Sequence, residues 1–169
     1  MRTDPPHKTA VLNIVALSEN RIGAHTPNLQ RFRESGTLTH LVPPLPAVTT
    51  TSQAALLTGV DAREHGIVGN GWYDRESAEV KFWKQSNHLV RAPKVWETAR
   101  ERDPSVTCAK MFWWYNMYSS ADYSVTPRPQ YRADGRKIPD CYAEPPRLRD
   151  DLQRELGAFP LFRFWGPAA

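Results

Sequence analysis

The chain has 169 residues, with 22 Lys+Arg against 18 Asp+Glu for a formal net charge of +4; it is 40% hydrophobic and 24% charged. That apolar content excludes a disordered chain, no apolar run approaches the roughly 18 residues of a membrane span, and two cysteines, Cys108 and Cys141, are too few for a disulfide framework. Basic and acidic residues interleave, as in Arg100-Glu101-Arg102-Asp103, which suits a solvated helix face and argues against a nucleic-acid partner.

Residues 10–17 are almost continuously apolar and predict a buried strand of a parallel sheet. Asn13 interrupts the run and no small-x-small cleavage site follows, so it does not read as a signal peptide. The expected compartment is the cytoplasm, where both thiols stay reduced. Residues 26–36 predict a helix with Thr26 as cap, Pro27 in its first turn, Leu29 and Phe32 as its apolar stripe, and Gly36 past its end. A second strand is predicted over 37–42, ended by Pro43 and Pro44.

Residues 46–59 begin as extended chain and then enter a short Ala- and Leu-rich helix that stops at Gly59. Asn70-Gly71 signals a tight turn, residues 80–83 a strand, and Pro93 opens a helix to about Arg102. Residues 106–112 predict another apolar strand, 124–128 an extended segment, and 130–141 a loop. Pro145-Pro146 begins the last helix, through Leu156, and Gly157 closes it. Strand and helix alternate, which predicts an α/β layered fold.

Thr49, Thr50, Thr51 and Ser52 stand where extended chain turns into helix. The first N–H groups of a helix lack internal partners and the dipole places partial positive charge there. Such an end favours phosphate, and a hydroxyl held beside it is positioned to attack phosphorus. The plain alternative is N-capping, which Ser and Thr perform widely. Asn70 follows 21 residues after Thr49; its amide suits donation to a phosphoryl oxygen, or an ordinary hairpin turn. In the run from Phe112 to Tyr118, Trp113 and Trp114 suit packing against a neighbouring layer, or stacking on a nucleobase.

His25-Thr26-Pro27-Asn28-Leu29, then Pro46-Ala47-Val48-Thr49 leading to Leu56-Leu57-Thr58-Gly59, then Glu64-His65-Gly66-Ile67-Val68-Gly69-Asn70 resemble successive blocks of the nucleotide pyrophosphatase/phosphodiesterase group of the alkaline phosphatase superfamily. Residues 110–136 resemble a bacterial subgroup of that superfamily. The resemblance implies a partial alkaline phosphatase-like α/β/α sandwich, with a mostly parallel sheet flanked by helices. It also implies a metal-dependent hydrolase of phosphate esters, such as nucleotides, with two zinc-type ions. Thr49 matches the nucleophile, which also ligates one metal, and Asn70 the residue that holds the phosphoryl oxygens; a phosphothreonine-type intermediate follows.

Two departures qualify what the resemblance implies. Ala16-Leu17 occupy the place of the metal-binding Asp and Gly of the first strand, with Asn13 and Glu19 the nearest substitutes. The Asp-His-Gly block and later His that complete the metal set have no counterpart, and His65 and His88 do not replace them. The expectation is that residues 1–169 form the N-terminal portion of such a domain, weakly active or inactive alone, with self-association through an exposed sheet edge. The alternatives are a non-catalytic phosphate- or nucleotide-binding or assembly protein, and a truncated gene product.

Overall fold

A computed structural model describes residues 8–164, and the chain divides into two units, Met1–Val42 and Pro43–Ala169.

In the first unit, a 3-10 turn at Glu19–Arg21 precedes helix α1 (Pro27–Glu34). Pro27 at the first helical position needs no N–H there. Thr26 does not cap α1 with its side chain. Its hydroxyl instead accepts from the Gly23 N–H (3.0 Å) and donates to the Arg21 carbonyl (2.9 Å), closing the preceding turn. The strands expected over 10–17 and 37–42 do not form. Leu12 and Val15 are 79% and 77% exposed, and Leu41 and Val42 are exposed as well. A strand is held by a ladder to a neighbour, and no described segment pairs with either stretch.

The second unit carries α2 (Thr49–Thr58), α3 (Ala62–His65), β1 (Gly71–Asp74), β2 (Glu79–Phe82), α4 (Val95–Arg102), β3 (Ala109–Met111) and β4 (Tyr123–Pro127). There follow β5 (Gln130–Tyr131), β6 (Lys137–Ile138), β7 (Cys141–Glu144), α5 (Arg147–Leu156) and α6 (Leu161–Phe164). Helices α2, α4 and α5 lie where the sequence places them. Gly59 and Gly157 close α2 and α5 with φ of 73° and 80°, values that glycine adopts without a Cβ penalty. The predicted turn at Asn70-Gly71 is instead the entry to β1. The β1–β2 hairpin turns over residues 75–78, where the Asp74 carboxylate accepts from the Glu76 and Ser77 N–H groups. The predicted 130–141 loop contains the small β5–β6 hairpin.

Three strands form the order β3-β4-β7, with β3 parallel to β4 and β4 antiparallel to β7. The protein is thus α/β. Among the named strands, parallel pairing is confined to β3–β4, while the hairpins and β4–β7 are antiparallel. Helix α2 feeds two cores: Ala54 packs with Ile67, Val90 and Tyr115, and Leu57 with Trp96 and Ala121. Residues three apart on a helix share a face, so one stripe of α2 joins both clusters.

Candidate functional site

Helix α2 begins without a side-chain cap at Val48, and Thr49 is its first residue, exposed to solvent. Thr50 and Thr51 behind it are buried. The missing cap comes from 20 residues away. Asn70 Oδ1 accepts from the Thr50 N–H (3.2 Å) and from the Thr50 hydroxyl (3.1 Å), which satisfies one of the free donors of the helix start. The bond draws Asn70 to the first turn of α2, onto Thr50, the residue after Thr49. With its oxygen committed to Thr50, the free end of the Asn70 amide is its NH2 group, a double donor.

The loop that delivers Asn70 is built by His65, which is completely buried. Its Nδ1 accepts from the Ile67 N–H (3.1 Å) and its carbonyl accepts from the Arg91 N–H (3.1 Å). Burial holds its pKa below the ordinary imidazole value, with Asp61 acting in the opposite sense. His65 is therefore a neutral framework residue. Gly66 follows at φ 79°, with the Arg91 side chain 3.2 Å from where a Cβ would stand, so the turn takes glycine on two counts. His88 is exposed and tilts against Tyr118, ring centroids 5.9 Å apart.

Thr49 opens into a cleft of about 670 Å³ lined by Trp83, Gln85, Trp114, Arg128, Pro129 and Tyr131. Trp114 is held on both sides. Its N–H donates to Gln53 Oε1 of α2 (2.6 Å) and its indole N–H to the Lys84 carbonyl (2.8 Å); Trp83 meets it edge to face at 5.1 Å. Trp113 packs instead with the Leu57–Trp96–Ala121 core, so the aromatic run divides between core and cleft. Trp83, Gln85, Arg128 and Tyr131 were not singled out from the sequence. They come from separate segments, and the Pro-Arg-Pro run around Arg128 is the nearest thing to a local signal.

The described residues do not fit the two-ion set. Among the described residues no group of three or more His, Cys, Asp or Glu is placed to hold a metal ion, and the described lining of the Thr49 cleft contains no carboxylate, imidazole or thiol. Asn13 lies in the exposed stretch of the first unit, and Glu19 is engaged by Arg33 and His40, each at 3.1 Å.

A model of the type I phosphodiesterase / nucleotide pyrophosphatase family matches residues 9–168. Comparison with curated proteins gives no match, and comparison with solved structures gives none either. Among the described residues no helix is long and apolar enough to cross a membrane.

Proposed function

The chain belongs to the type I phosphodiesterase / nucleotide pyrophosphatase family, and from that premise we propose that Thr49 and Asn70 form a phosphate-ester site. The observation that carries the reading is the pair of hydrogen bonds from Thr50 to Asn70 Oδ1, which joins two distant motifs at one helix start. A phosphoryl group beside Thr49 would meet the positive end of the α2 dipole and the Asn70 NH2. The nucleophilic step would form a bond from Thr49 Oγ1 to phosphorus, expel the leaving-group oxygen, and release the hydroxyl proton to solvent. In the family reading these elements are part of an alkaline phosphatase-like α/β/α sandwich.

No donor set for metal is present among the described residues. An unactivated hydroxyl is a poor nucleophile at neutral pH. The reading is therefore binding of a phosphate ester or nucleotide, with turnover weak or absent in this chain. Calorimetry with thymidine 5′-monophosphate should give saturable binding, weakened roughly tenfold by Asn70→Ala, the usual worth of a hydrogen bond to a charged group. No heat from the native chain would sink the proposal. With added zinc, hydrolysis of bis(p-nitrophenyl) phosphate should stay at background. Robust turnover abolished by Thr49→Ala would replace the binding reading with a complete hydrolase.

A further inference from the structure

We propose that Arg128 is the specificity-determining residue of the Thr49 cleft, selecting esters whose aromatic leaving group carries a second anion, a carboxylate or a phosphate. The inference rests on the reading of that cleft as a phosphate-ester site.

Among the described residues that line the cleft, Arg128 alone is charged. Four arginines of this unit find acids: Arg100 pairs with Asp122, Arg136 with Asp134, Arg149 with Asp140 and Arg154 with Asp151; Arg128 is set apart from the unpaired surface arginines by its place in the cleft wall. The guanidinium of Arg128 makes no ion pair or hydrogen bond among the described residues.

The strand pairing explains why it is left uncompensated. Arg128 follows β4, and its N–H donates to the carbonyl of Asp140 (2.8 Å), the residue before β7. The Asp140 carboxylate is committed elsewhere. Its Oδ1 meets Arg149 at 3.2 Å and accepts from the Cys141 N–H at 2.9 Å, and its Oδ2 accepts from the Gln130 side chain at 2.7 Å. The acid nearest in the ladder is thus taken up by other partners than Arg128.

The backbone is also fixed. Pro127 and Pro129 flank Arg128; each locks its own φ, and Pro129 restricts the Arg128 backbone to extended conformations. A planar guanidinium with five donors matches carboxylate or phosphate oxygens two at a time. Trp83, Trp114 and Tyr131 also line the cleft, which suits an aromatic ring held between phosphorus and the second anion. Arg128 lines the adjoining hollow too, with Lys81 and Lys84. Lys81 there is matched by Asp74 and Glu79, so it adds little free charge.

Calorimetry on the full chain with phenyl phosphate and 4-carboxyphenyl phosphate tests the proposal. The native protein should bind the carboxylated probe roughly tenfold more tightly, in line with a charge-assisted hydrogen-bond pair. Arg128→Gln should erase that preference, weakening the carboxylated probe more than phenyl phosphate, and Arg128→Lys should keep part of it. Arg128 is exposed, so both variants should keep the native far-UV circular dichroism. Equal affinity of the native protein for the two probes, or equal loss of both in Arg128→Gln, overturns the role of Arg128 alone. Binding of neither probe to the native protein overturns the phosphate-ester reading, and this proposal with it.

Discussion

The two faces of the β3-β4-β7 sheet place opposite demands on the fold. Side chains alternate along a strand, so Lys110, Ser124 and Thr126 share one face and Met111, Val125 and Ala143 the other. The first face is polar and buried. The Lys110 ammonium donates to the Tyr115 carbonyl (2.6 Å) and stands 5.2 Å from the centre of the Trp96 ring, while Ser124 Oγ and Asn116 Oδ1 nearby have no hydrogen-bond partner among the described residues. The second face is apolar and underfilled. Beneath α5 it borders a hollow of about 430 Å³ lined by residues such as Met111, Val125, Leu152, Leu156 and Phe159. One face is constrained by charge, the other by volume, and changes on the two should differ in kind as well as size.

The largest effect belongs to Trp96, which is buried between Lys110 and the second core and donates its indole N–H to Ser120 Oγ (2.8 Å). Trp96→Ala should cost about 3–5 kcal/mol in a urea melt, the range for removing a large buried aromatic. A cost under about 1 kcal/mol would mean that this face collapses freely.

Lys110 comes next, with a change of opposite sign. Burial is the main cause that pushes its pKa from 10.5 down to about 7; Lys94 lowers it further, while Cys108 and Glu97 act against this. Between those values the unfolded chain holds a proton that the folded chain has lost. The Lys110 contribution to stability should therefore rise from about pH 7 to about pH 10 and be flat on either side. Lys110→Met keeps the volume, removes the charge, and leaves the Tyr115 carbonyl bonded to the Asn87 side chain (2.9 Å). It should stabilise the protein at pH 6 by roughly 2 kcal/mol, within the range for replacing a buried charge by an apolar side chain. It should also remove the pH dependence; urea melts across that range would show a persisting slope if another group were responsible.

The smallest effect falls on the apolar face. Val125→Ala removes two methyl groups beside space that already exists and should cost about 1–2 kcal/mol. The same loss is expected at pH 6 and pH 9 by thermal melts. A pH-dependent loss would mean that the two faces are coupled through β4.

Periodic, self-contained elements were legible from the sequence. The stop at Gly59 and the helices opened by Pro27, Pro93 and Pro145-Pro146 depend on local chemistry. The strands expected at 10–17 and 37–42 depend on neighbours, and apolar content alone does not supply a ladder. Lys110 was absorbed into an apolar strand over 106–112, because a single charge in such a run carries no sign of which face it will occupy. Thr49 and Asn70 were paired by resemblance. Asn70 reaches the first turn of α2 through hydrogen bonds to Thr50 that no local pattern encodes, since Asn-Gly reads first as a turn. The remainder of the cleft wall is illegible in the sequence because Trp83, Arg128 and Tyr131 join Thr49 and Trp114 there only once β2, β4 and β5 are in place.

The anchoring of Trp114 has an optical consequence. Its backbone N–H is held by Gln53 of α2 and its indole N–H by the Lys84 carbonyl, with Trp83 against its ring. A fluorophore tethered through its own N–H and its backbone has little freedom to relax by rotation, so changes in its emission report on its surroundings. Two of the six tryptophans line the wall that Thr49 shares. The protein carries an intrinsic reporter of what enters the cleft, legible as a shift in emission without any attached dye.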